Sequence, residues 1–197
     1  MFWLVLAYPT LAHLSVWLSS RSLQWLALVC LLATGLWSAL LSKRPWAWAA
    51  LCAGAAALYV VTRRGNGMYA LYAPPVLIPL TMLLLFGRSL RAGETPLITR
   101  IATTMRGEPL PEALRIYTRR VTQVWCGISA LLILSALVAA IWASAEVWSL
   151  MTNVVHYLAL GAVFVLEFFY RRLRYRQLEP WGLLQYLRRL TRVNLRT

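Results

Sequence analysis

The chain has 197 residues, of which 60% are hydrophobic, and a formal net charge of +14. A soluble domain sits nearer half apolar, and the excess here comes in blocks of about 20 residues, the length that crosses a hydrocarbon core as a helix. This excludes an ordinary soluble domain and weakens the nucleic-acid reading of the charge, because arginines at span ends anchor helices and meet anionic headgroups.

Six spans are predicted, over residues 2–18, 23–41, 46–61, 68–86, 121–142 and 147–169. The first is apolar from its second residue and lacks a basic flank, so it is read as a retained helix rather than a removed signal. Basic residues (Arg21, Lys43, Arg44, Arg63, Arg64 and Arg88) close the first four spans. The short loops between them make antiparallel hairpins. Trp3, Trp17, Trp25, Trp46, Trp48, Trp142 and Trp148 fall near span ends, as interfacial belts do. In the fourth span, Pro74, Pro75 and Pro79 should kink or interrupt the helix. Such a break serves either packing or, as in transporters, a substrate site.

Fifteen of the twenty basic residues lie in residues 88–120 and 171–197, and none lies in 121–170. The loop around Glu146 carries no base and belongs outside. Both basic stretches then face the cytoplasm, and four earlier spans return the N-terminus there. Arg21, Arg63 and Arg64 fall outside in this arrangement, outweighed by the two clusters. The expected organisation is a four-helix membrane segment (1–87), an Arg-rich cytoplasmic or interfacial segment (88–120), a transmembrane hairpin (121–172) and a basic tail (173–197). Within 88–120, Leu97, Ile98, Ile101 and Ala102 recur at near-helical spacing, and Leu114, Tyr117 and Val121 form a second stripe. Such basic amphipathic pieces lie in the interface. The tail repeats this with Trp181, Leu184, Leu187 and Leu190 against Arg188, Arg189 and Arg192. The fold class is therefore all-α: a polytopic bundle of about six transmembrane helices with a basic amphipathic segment between the fourth and fifth.

Polar residues inside spans are the first suspects for function. Asn153, His156 and Tyr157 stand at i, i+3 and i+4 on one helix face. Glu167 lies too far along the axis to pair with His156 and is placed to pair with Arg171 at i+4. His156 is read either as a relay or ligand contact, or as an interhelical hydrogen bond to a hydroxyl. His13 is the only other histidine. Two histidines and one embedded glutamate, without an H-x-x-x-H spacing, predict no metal site. Cys30, Cys52 and Cys126 sit in apolar runs and read as packers. The chain has no Asp, no G-x-S-x-G elbow and no Gly-rich phosphate loop, so no cofactor is expected and catalytic signals are weak. Arg88, Arg91, Arg100 and Arg106 are candidates for binding phosphate or a phosphopantetheine-type anion, with a solvated or lipid-facing role as the alternative, and Tyr117, Arg119 and Arg120 join Arg88, Arg91 and Arg100 as candidates for substrate or partner binding.

One further pattern is carried by Gly87, Arg88, Ser89 and Leu90, by Gly93, and by Pro96, Leu97, Ile98, Thr99 and Arg100. It continues through Tyr117, Thr118, Arg119, Arg120, Val121, Thr122 and Trp125 to Asn153, Tyr157 and residues 164–171. It resembles a family of small bacterial inner-membrane proteins encoded beside acyl-carrier-protein, ketosynthase and acyltransferase genes in aryl-polyene-type lipid clusters. The resemblance covers the C-terminal half and implies a pathway rather than a reaction. The expected function is an inner-membrane accessory protein that supports assembly or export of a lipid or polyene product. Its Arg-rich cytoplasmic face would meet anionic headgroups or acyl carrier proteins. The alternatives are a small transporter or flippase subunit built on the Pro-broken fourth span, and a membrane-embedded acyl or polyprenyl transferase.

Overall fold

The computed structural model describes residues 2–175. The expected tail helix after Pro180 lies outside the described residues. The described chain is all-α: α1 (Phe2–Trp17), α2 (Arg21–Leu41), α3 (Pro45–Arg63), α4 (Gly67–Tyr72), α5 (Pro74–Ser89), α6 (Leu97–Arg106), α7 (Glu112–Trp142), α8 (Ala145–Leu150), a π-helical turn Met151–Val155, and α9 (His156–Arg174). Among the described residues, five stretches are long and apolar enough to cross a membrane: α2, α3, α4 with α5, α7, and α8 through α9. The segment expected as the first span, α1, has 16 residues. At ~1.5 Å per residue that is ~24 Å of helix, against a hydrocarbon core of ~30 Å.

The described residues form two compact units, 2–77 with 134–158, and 78–133 with 159–175. In the first unit, α1 packs on α2 and on α8, and α2 packs on α3 and α4. Alanines let these helices approach closely: Ala12 and Ala27 are fully buried beside Tyr8, Leu28, Leu71, Ala139 and Trp148. Trp25 donates its indole N–H to the Ala55 carbonyl at 2.8 Å, tying α2 to α3.

The first three helix ends share one closure. After α1, the N–H groups of Ser19 and Ser20 reach back to the carbonyls of Val16 and Ser15. After α2, Lys43 and Arg44 reach Leu40 and Ala39, and after α3, Gly65 and Asn66 reach Thr62 and Val61. This is the Schellman pattern, which needs a left-handed residue at its centre. Glycine fills that position once, at Gly65 with φ +86°; the other two are Ser19 at +47° and Lys43 at +51°. A side chain in this region costs of order 1 kcal/mol. Lys43→Gly, at an exposed site, is therefore expected to stabilise the protein by about 0.5–1 kcal/mol. A higher thermal midpoint in detergent checks this, and a lowered midpoint would contradict it.

The interruption expected in the fourth span is a junction at Ala73. Pro74 and Pro75 are the first residues of α5, where a missing N–H costs nothing. The N–H groups of Val76 and Leu77 both return to the Ala73 carbonyl, at 3.1 and 2.8 Å. All three prolines are buried, and Tyr72, immediately before the junction, packs its ring edge-on against Trp148 at 4.5 Å.

In the second unit, the basic segment is a loop, α6, a second loop and the first turns of α7. That helix begins at Glu112 and continues without a break through the span expected over residues 121–142. Leu114, Tyr117 and Val121 are buried, as their stripe predicts. Thr99 and Thr118 share a buried hydrogen bond of 2.7 Å that fastens α6 to α7. Gly107, at φ +77°, ends α6 with its N–H on the Thr103 carbonyl at 2.9 Å. An ion pair in this segment joins Arg106 to Glu108 at 2.6 Å.

Candidate functional site

Two stripes meet where α7 leaves the basic segment. On α7, Ile116, Tyr117, Arg120, Val121, Val124 and Trp125 recur at helical spacing. On α9, Val163, Leu166, Glu167 and Tyr170 do the same. Between them, with Tyr175, they line a cleft of about 450 Å³. Its walls are mostly aliphatic and aromatic, and Trp125 is backed by the Phe86 ring, stacked at 6.2 Å and 14°.

The polar groups gather along one side of the cleft. Tyr117 donates its hydroxyl to Glu167 Oε1 at 3.1 Å, and Arg171 Nε lies 3.2 Å from the same oxygen. The Glu167–Arg171 pair is the i, i+4 pair expected from the sequence. The Arg171 side chain is only 9% exposed and that of Glu167 18%, so this pair is far drier than a surface ion pair. The Arg171 guanidinium also sits 6.0 Å over the Phe168 ring. The Tyr117 ring is held by Tyr170 at 5.8 Å and Tyr175 at 5.0 Å. Arg120, exposed on the rim, adds a positive charge.

A second, more polar hollow of about 700 Å³ lies beside the cleft along α7. Its walls include Glu94, Thr99, Thr103, Glu112, Arg115 and Arg119. The loop that rims it is held by two hydrogen bonds and turns at a glycine. Ser89 Oγ accepts the Leu97 N–H at 2.9 Å, Gly93 takes φ +84°, and Arg119 Nη2 donates to the Leu90 carbonyl at 3.4 Å. Ile116 lines both cavities.

Of the residues singled out from the sequence, Tyr117, Arg120 and Glu167 come together in the cleft, and Arg119 lies in the hollow. Arg88, Arg91 and Arg100 are exposed and line neither cavity. Asn153, His156 and Tyr157 belong to the first unit. A π-helical turn, Met151–Val155, immediately precedes His156, and both Asn153 and His156 are buried. His156 Nε2 meets Ser135 Oγ at 2.9 Å, whereas Asn153 Nδ2 donates to Ser149 Oγ at 3.3 Å. His13 Nδ1 meets that same serine oxygen at 3.1 Å. Each histidine is thus bound to a different serine, which is the interhelical hydroxyl role. No group of three metal-ligating side chains gathers among the described residues.

Trp125, Tyr170, Arg115 and the threonines of α6 were not among the candidate site residues read from the sequence. Arg115 and Arg119 at i, i+4 beside Thr99 and Thr103 at i, i+4 were the available signal. It becomes informative only once the Thr99–Thr118 bond brings the two helices together. Comparison of the chain with protein-family models, curated proteins and solved structures returns no match.

Proposed function

We propose that this protein is a polytopic protein of a bacterial inner membrane that holds an amphiphile on its last helix pair. The apolar chain would lie in the α7–α9 cleft, and the polar end would lie toward the arginines on the cytoplasmic side. In this reading both chain ends face the cytoplasm, and the protein is an accessory in the assembly or export of a lipid or polyene-type product. The observation that carries the reading is the cleft itself, apolar along most of its wall and polar along one side. Its volume falls within the range of about 300–1,000 Å³ usual for small-ligand sites. The clustering of Arg88, Arg91, Arg100, Arg106, Arg115, Arg119 and Arg120 in one segment supports attraction of anionic headgroups or acidic carrier proteins to that end.

Glu167 favours holding over chemistry. A carboxylate that already accepts a phenol and faces a guanidinium is an anchor for side chains rather than a base awaiting a proton.

The test is photolabelling of the reconstituted protein with a phospholipid carrying a diazirine in its acyl chain. Labels are expected on Val124, Trp125, Leu166 and Tyr170. Val124→Trp, which fills the cleft from an exposed wall position, should cut labelling at least about tenfold. Undiminished labelling in that variant, or labels spread evenly over all lipid-facing helices, would remove the proposal.

A further inference from the structure

The hollow beside the cleft carries acids and bases in equal number. Glu94 lies on the loop before α6. Glu112, Arg115 and Arg119 lie at i, i+3 and i+7 along one face of α7, with Ile116 between the two arginines. The ion pairs among the described residues are Arg106–Glu108 and Arg171–Glu167, so neither acid of the hollow closes onto either of its bases. Two negative and two positive side chains therefore face one space, flanked by the hydroxyl-bearing Thr95, Thr99 and Thr103. A purely anionic group would meet the two glutamates as well as the two arginines, and a cation would meet the reverse. The group that satisfies both pairs carries one negative and one positive charge a few bonds apart.

The position of the hollow says how such a group arrives. Ile116 is 51% exposed and forms part of the wall of both cavities. An amphiphile whose chain lies against Val124 and Trp125 passes Ile116 before its polar end reaches Arg115 and Arg119. We infer that the hollow is a headgroup site for a phosphoethanolamine-type lipid, with the phosphate diester on Arg115 and Arg119 and the primary ammonium on Glu94 and Glu112. This rests on the amphiphile reading of the cleft and adds the class of head that the cleft's ligand bears. Phosphate suits the arginines because guanidinium N–H groups match its oxygens in pairs. The primary ammonium suits the glutamates because it brings three N–H donors, whereas a trimethylated amine brings none.

The experiment uses the full chain in nanodiscs or mild detergent, with the diazirine-acyl probe offered under three heads: phosphoethanolamine, phosphocholine and phosphoglycerol. The wild-type chain is expected to label about tenfold better with phosphoethanolamine than with either other head, the scale of one hydrogen bond to a charged group. Glu94→Gln with Glu112→Gln should erase that preference and favour phosphoglycerol, while Arg115→Gln with Arg119→Gln should weaken all three phosphate heads together. All four side chains are exposed, and cleft labelling by a diazirine fatty alcohol, which has no head to read, reports that each variant is folded.

Equal labelling with the three heads, or a phosphoglycerol preference in the wild-type chain, overturns the headgroup site while leaving the cleft standing. Loss of all cleft labelling in the wild-type chain overturns the cleft reading itself. Soluble glycerophosphoethanolamine supplies the same head without a chain. If it binds the protein while the lipid probe does not, the lipid source is overturned.

Discussion

Arg171→Ala is expected to lower the stability of the folded protein by about 3–5 kcal/mol, the usual result of stripping one partner from a buried ion pair. The argument begins with the carboxylate left behind. Glu167 is mostly buried, and Arg171 Nε stands 3.2 Å from its Oε1. Removing the guanidinium leaves a carboxylate facing a phenol, with low-dielectric walls around it. The same change deletes the cation over the Phe168 ring, a contact of about 0.5–1 kcal/mol at least. Pairing the change with Glu167→Leu should restore most of the loss, because the uncompensated charge goes with its partner. Tyr117→Phe should cost about 1.5–3 kcal/mol, the share of one hydrogen bond to a charged acceptor. A titration of the reconstituted protein with denaturing detergent measures all three. Arg171→Ala within about 1 kcal/mol of wild type would show that the pair is solvated and would deprive the cleft of its anchor.

That anchor was half legible in the sequence. Glu167 and Arg171 are one helical turn apart, so their pairing follows from spacing alone. The third member, Tyr117, is fifty residues upstream, and only the packing of α7 on α9 brings its hydroxyl to the carboxylate. The apolar blocks are equally readable, because span length is set by the bilayer and not by partners. The buried stripe of Leu114, Tyr117 and Val121 is readable for a similar reason, since it is a property of one helix.

What the sequence concealed depends on partners or on backbone detail. Ser19 and Lys43 give no glycine signal, yet both adopt the left-handed conformation that closes their helices. The π-helical turn at Met151–Val155 widens the local repeat, and nothing in the residue spacing around Asn153, His156 and Tyr157 announces it. The two cavities were invisible for the plainest reason: each is lined by residues from several elements. Only the shared Ile116 reveals that an apolar surface and a charged one adjoin.

Trp148→Ala is the second large effect expected. Proximity to a span end assigns Trp148 to an interfacial belt, and Trp17 and Trp142, 70% and 76% exposed, have the exposure such a belt requires. Trp148 instead is 1% exposed. Its indole meets Tyr72 edge-to-face at 4.5 Å and 89°, in the cluster that includes Tyr8, Ala12 and Ala139. Ser144 explains the difference locally. Its side chain accepts the Val147 N–H at 3.4 Å and starts α8 three residues before the tryptophan, which fixes Trp148 on the inward face of the first turn. Truncating a buried aromatic leaves a cavity and costs about 3–5 kcal/mol in water-soluble cores. In a bilayer the separated helices are already in an apolar solvent, so the transfer part shrinks and the packing part remains. The expected loss is therefore about 2–4 kcal/mol for Trp148→Ala. Trp148→Phe, which keeps a ring against Tyr72, should lose only about 1 kcal/mol. Tryptophan emission separates this account from the interfacial one when the other nine indoles are replaced by phenylalanine. A chain retaining Trp148 alone should resist quenching by aqueous acrylamide and by lipids brominated near the headgroup, while one retaining Trp142 alone should be quenched by both. Strong headgroup-level quenching of Trp148, together with a stability change below about 0.5 kcal/mol in Trp148→Ala, would return it to the belt.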